Sequence, residues 1–148
     1  MLTTPDRDST REVFFRAWRR HSDGQPLEGV ESLVVRVVLN HPEYQAMLAD
    51  PDQYMDRDFS PLLGENNPFL HMGLHVAIEE QLTLNEPRGV RDIYKSLLTH
   101  NPDEHAVQHY MMECLGKWLH NAHHSSGGLD PMIYLDCLQR MSHKPRIK

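Results

Sequence analysis

The chain has 148 residues and a formal net charge of −6, from 15 basic and 21 acidic side chains, with 11 histidines, two cysteines, ten prolines and eight glycines. That length suits one domain with a core of its own. The acidic balance argues against nucleic acid as a partner, and the longest apolar runs, Leu33 to Val35 and Val37 to Leu39, fall far short of the roughly 20 residues that span a bilayer.

In chain order, residues 1–10 read as a flexible N-terminal arm, 11–142 as a single helical-bundle domain and 143–148 as a basic C-terminal tail. Ser9 and Glu12 form an S-x-x-E capping box. Val13, Phe14, Ala17 and Trp18 then follow the spacing of one buried helical face, which runs to His21. Asp23-Gly24 ends this first helix. The β-branched run from Leu33 to Leu39 could be a strand, but no second strand exists to pair with it, so a helix over 28–40 is predicted. His41-Pro42 opens a short helix to about Ala49. A Pro/Gly/Asp-rich connection with at most one helical turn leads on to Asn67. Asn67-Pro68 is a start signal for a third long helix to about Asn85. A fourth covers 89–100, with Val90, Ile93, Tyr94, Leu97 and Leu98 as its apolar stripe. Asn101-Pro102 starts a fifth, running to about His124, and Asp130-Pro131 a last one through Met141. Everything readable is helical, so the fold class is an all-α bundle of about five to six helices.

The candidate chemistry lies in a repeated pattern. The third helix carries His71, His75 and Glu79, and the fifth His105, His109 and Glu113. Both trios are H-x3-H-x3-E, with each member 34 residues from its counterpart. Side chains four apart on a helix lie about 5–6 Å apart at Cβ, close enough for two imidazoles to hold one ion. Short Pro-marked turns should make neighbouring helices antiparallel, and therefore the third and fifth parallel. His71 would then stand level with His105, His75 with His109, and Glu79 with Glu113. Two imidazole and carboxylate rows facing each other would hold one or two divalent transition metal ions, with iron or zinc favoured and manganese open. If the protein is an enzyme, such a centre would suit a metal-dependent oxidoreductase or hydrolase.

The rest of the sequence supplies fewer signals. His120, His123 and His124 extend the fifth helix's row without a matching partner. His21, His41, His100 and His143 read as surface or capping residues. Cys114 and Cys137 read as core thiols, and two cysteines cannot make the framework of a small disulfide-rich scaffold; with no signal-peptide-like stretch, the expected compartment is the cytoplasm. No Gly-rich phosphate loop, G-x-S-x-G or H-E-x-x-H string is present. The alternatives are a metal-free interaction or scaffold protein with structural histidines and a tetrapyrrole-binding protein. A small-molecule ligand and a homo-oligomer stay open.

The strings His41-Pro42-Glu43-Tyr44, Asn67-Pro68-Phe69-Leu70-His71 with His75 and Glu79-Glu80-Gln81, and His105, His109 with Met111-Met112-Glu113-Cys114-Leu115 resemble domain-of-unknown-function family 1841. The resemblance runs over nearly the whole chain. It implies a small bacterial helical protein of the cytoplasm and no particular activity. His120, His123 and His124 stand outside that pattern.

Overall fold

A computed structural model of the chain describes residues 7–59, 67–122 and 130–141. Among them the regular structure is all α: eight helices, one 3-10 turn and no strand. The helices are α1 (Arg7–Ser22), α2 (Glu31–Leu39), α3 (Gln45–Leu48), α4 (Pro51–Tyr54), α5 (Pro68–Leu84), α6 (Val90–His100), α7 (Glu104–Ala122) and α8 (Pro131–Met141), with the 3-10 turn over Pro42–Tyr44. The valine-rich run is α2, a helix as expected. Helix α1 starts at Arg7, inside the segment expected as an arm. Ser9, expected at the start of the helix, therefore lies inside it. Residues 123 and 124, expected at the end of the fifth helix, lie outside the described residues.

Contacts divide the chain into two compact units, Met1–Ala77 and Ile78–Lys148. In the first, Phe14, Val34, Val38, Met72 and Val76 are fully buried. Phe69, at the start of α5, meets Phe14 and Phe15 of α1 at centroid distances of 6.1 and 5.7 Å. Arg11 is buried as well. Its Nη1 donates to the carbonyls of Tyr54, Met55 and Arg57 at 3.1, 3.0 and 2.7 Å, and its guanidinium lies 4.5 Å from the Phe69 centroid. One side chain thus accepts the task of closing the end of α4, whose last carbonyls have no helical donor. Asn67 starts α5 as its sequence predicts, with Oδ1 accepting from the Phe69 and Leu70 amides.

Glu31 joins α1 to α2. It is 3 % exposed and accepts from Arg16 Nε at 2.9 Å, Arg20 Nη1 at 3.0 Å and the Glu28 amide at 2.9 Å. The Glu28 amide and the Arg16 guanidinium hold its carboxyl below the usual carboxylate range against the opposing effect of burial. A depressed folded-state pKa contributes stability that is complete above the unfolded value and disappears as pH falls through the folded one. Glu31→Gln is therefore expected to cost about 2 kcal/mol near neutral pH, the scale of hydrogen bonds to a charged group. In urea titrations its midpoint should fall below the parent's at pH 7, and the gap should narrow at pH 3; an equal gap at both would contradict the assignment.

In the second unit, Ile78, Val90, Val107, Met111, Tyr134 and Leu138 are fully buried. Asn85, at φ 53°, and Gly89, at φ 100°, shape the bend between α5 and α6. Asn tolerates left-handed backbone and Gly is free of a Cβ there. Asn85 Oδ1 accepts from the Gly89 and Arg91 amides, and Arg91 in turn donates to the Leu82 and Thr83 carbonyls. The N-terminus of α7 is capped by Asp103, whose Oδ1 accepts from the His105 and Ala106 amides; Asn101 performs an earlier turn, accepting from the Asp103 amide. Asp130 starts α8 by accepting from the Met132 amide.

Cys114 and Cys137 correct a sequence expectation. They are not thiols but a disulfide, with Cα atoms 5.9 Å apart. The cause is the way α8 returns along α7. Four residues after Cys114, Trp118 stacks on Tyr134, three residues before Cys137, at 4.9 Å between centroids. Antiparallel pairing of 118 with 134 brings 114 opposite 137. Trp118 Nε1 also donates to the Asp130 carbonyl at 2.9 Å, and the Tyr134 hydroxyl donates to Gln81 at 2.6 Å. Burial raises the Tyr134 hydroxyl pKa, with the Gln81 bond opposing. Among the described residues no helix is long and apolar enough to cross a membrane.

Candidate metal centre

His41 follows the last turn of α2 and precedes Pro42. A residue before proline is driven out of the helical region, and His41 leaves it, at φ −131° and ψ 71°. The chain turns there and the imidazole is buried, 3 % exposed. Its Nδ1 lies 2.8 Å from the Val37 carbonyl oxygen. A carbonyl can only accept, so Nδ1 carries the proton of the neutral ring and Nε2 is left as the nitrogen with the lone pair. A backbone carbonyl fixing the tautomer of an imidazole in this way is the usual support behind a metal-ligating histidine. The Tyr44 ring stacks on His41 at 5.5 Å and further constrains its plane.

Helix α5 supplies His71 and His75. His75 is 2 % exposed and His71 half-buried. Their rings are 4.9 Å apart, as the four-residue helical spacing requires. His41 stands 4.6 Å from His75 and 5.2 Å from His71. On α7 the same spacing brings the rings of His105 and His109 to 4.2 Å from each other. His105 is half-buried and His109 exposed. Each of His41, His75, His105 and His109 offers one nitrogen, and these atoms all lie within 4.8 Å of one another. A tetrahedral ion bound at 2.0–2.1 Å places its ligand nitrogens about 3.3 Å apart.

The sequence-predicted residues fall into three groups. His75, His105 and His109 belong to this cluster. His71 lies against its His41 and His75 rings, outside the four. Glu79 accepts a hydrogen bond from Gln108 Nε2 at 2.8 Å, and Glu113 is exposed. Gln108 directly precedes His109 and is itself 8 % exposed. It sits beside Tyr94, whose hydroxyl donates to Glu104 at 3.4 Å. Burial and the neighbouring Glu104 carboxylate push the Tyr94 hydroxyl up to about 12. Gln108, Glu79 and Tyr94 form an amide–carboxylate–phenol group alongside the histidines of α7. His120 is exposed; His123, His124 and His143 lie outside the described residues.

His41, expected as a surface or capping histidine, does sit at a helix end but is buried among the clustered imidazoles. It has no partner at helical spacing, so periodicity gave it no weight. The available signal was its position: a histidine closing an apolar helix and locked before a proline.

A family model covers almost all of this architecture. The chain belongs to the family described as Domain of unknown function (DUF1841). Its model matches residues 6–140, a span that contains all four clustered histidines, His71 and the disulfide. No curated protein and no solved structure matches the chain. Within this DUF1841 chain, four histidines close together could hold a metal ion.

Proposed function

We propose that this chain is a metal-binding helical protein whose ion is held by His41, His75, His105 and His109, with iron or zinc as the resident metal. The observation that carries the reading is the convergence of four imidazole nitrogens within 4.8 Å of one another. The donor set supports the choice of metal. Imidazole suits zinc, iron, copper and nickel, whereas manganese prefers the oxygen ligands that Glu79 and Glu113 would have supplied. His71 stands next to two of the proposed ligands and Glu79 is taken up by Gln108, so both act in this reading as neighbours that orient the ligands.

With all four histidines bound, a tetrahedral zinc would be closed and would serve structure, whereas iron, which accepts more than four ligands, would keep positions open for electron transfer. The reading therefore extends to a metal-dependent oxidoreductase where the resident ion is iron. The residues' own part is to hold the site. The Val37 carbonyl fixes the His41 tautomer. Burial of His41 and His75 keeps bulk water from one side, while the exposure of His109 leaves the other reachable by a small molecule.

Metal analysis of protein purified without a histidine tag, before and after reconstitution with Zn(II) or Fe(II), tests this. About one ion per chain is expected, the stoichiometry of a single four-nitrogen site. His105→Ala and His109→Ala, at positions that are not part of the core, should each lower it sharply, whereas Glu113→Ala should leave it unchanged. Metal content that stays far below one after reconstitution would exclude the proposal and favour structural histidines in a metal-free scaffold.

A further inference from the structure

Away from the histidines, the first unit carries a groove of ≈ 520 Å³ lined by residues of α1 and of the chain from α3 through α4. Phe15, Trp18, Leu48 and Met55 give it an apolar lining. Phe15 and Leu48 are 6 % and 3 % exposed, so that part is core and fixed in place. The polar lining includes Arg16 and Arg19. Its volume falls in the range of pockets that take small ligands, roughly 300–1,000 Å³.

Three features define what the groove can recognise. Arg16 is held at Nε by the buried Glu31 carboxylate at 2.9 Å, which sets the guanidinium plane and leaves its terminal N–H groups to face other acceptors. Arg19, exposed on α1, makes no ion pair or hydrogen bond with the described residues. The Trp18 indole N–H likewise donates to no described acceptor, and its ring makes part of the wall. One acid, Glu12, also lines the groove, and Arg16 already has the Glu31 carboxylate, so Arg19 is the lining cation without a carboxylate partner among the described residues. An unpaired cation and open N–H donors beside a fixed apolar floor select an anion with an apolar body.

We propose that this groove binds a small amphipathic carboxylate, its hydrocarbon part on Phe15, Trp18, Leu48 and Met55 and its carboxylate on Arg19 and the terminal nitrogens of Arg16. The site is independent of the metal reading and stands or falls without it.

The probe is octanoate, with 1-octanol as its uncharged counterpart, titrated into the full chain and followed by 1H–15N NMR. Octanoate should shift the Trp18 indole resonance saturably and leave that of Trp118, stacked on Tyr134, in place. Octanol should bind more weakly. Arg19→Ala should weaken octanoate about tenfold, as loss of a charge-assisted contact implies, with little change for octanol, and Arg19→Lys should recover part of the loss. Circular dichroism should show all variants folded, since Arg19 is exposed. Absence of a saturable Trp18 shift, equal affinity for octanoate and octanol, or indifference to Arg19→Ala would each overturn the proposal.

Discussion

Protein stripped by a chelator and refilled with zinc is expected to melt roughly 10 °C higher than the stripped form. A ligand that binds only the folded state stabilises it by RT ln(1 + [L]/Kd), about 4 kcal/mol when free ligand is 1,000 times Kd. In a chain of this size each kcal/mol moves the melting temperature by roughly 2–4 °C. The dependence arises because His41, His75, His105 and His109 come from distant parts of the sequence, at the end of α2, on α5 and on α7. An unfolded chain brings together only near neighbours in sequence, such as His105 with His109 or His71 with His75. His105→Ala should abolish most of the rise. His120→Ala, further along the same helix and exposed, should preserve it. A melting temperature indifferent to chelator and to zinc would be the mark of metal-free histidines.

Reduction of the Cys114–Cys137 bond is expected to destabilise the fold by about 3 kcal/mol. The bond closes a loop of sequence separation 23, and constraining a loop of that length in the unfolded chain is worth about this much in the chain-entropy account. Cys137→Ala should reproduce most of the loss, with a further cost because Cys114 is 1 % exposed and loses its partner inside the core. Thermal melts with and without reductant, read by the fluorescence of Trp118 and Trp18, measure the effect. Coincident melts of oxidised and reduced protein, with thiol labelling confirming reduction, would contradict it.

Local physics made the helices legible. Asn67-Pro68 and Asp130-Pro131 mark helix starts because the side-chain oxygen caps free amides while proline gives up none, and both caps occur in the structure. The valine run of α2 was resolved by the absence of a pairing strand. The Ser9 box does not mark the boundary, since the helix already includes Arg7 and Asp8; a capping sequence permits a start without imposing one.

The histidine site was legible only to the extent that it is periodic. His75, His105 and His109 announce themselves by i, i+4 spacing. His41 does not, because its place depends on where the chain goes after α2. The Glu79 carboxylate accepts a hydrogen bond from Gln108, a partner that i, i+4 spacing does not point to. Long-range partners of this kind, like the pairing of Cys114 with Cys137, are set by packing rather than by spacing.

The central claim is a shared ion on imidazole nitrogens, and X-ray absorption at the zinc edge of reconstituted, tag-free protein addresses it most directly. The account predicts a first shell of nitrogen at about 2.0–2.1 Å, with the outer-shell scattering of several imidazole rings. A shell dominated by oxygen and lacking imidazole scattering would contradict it.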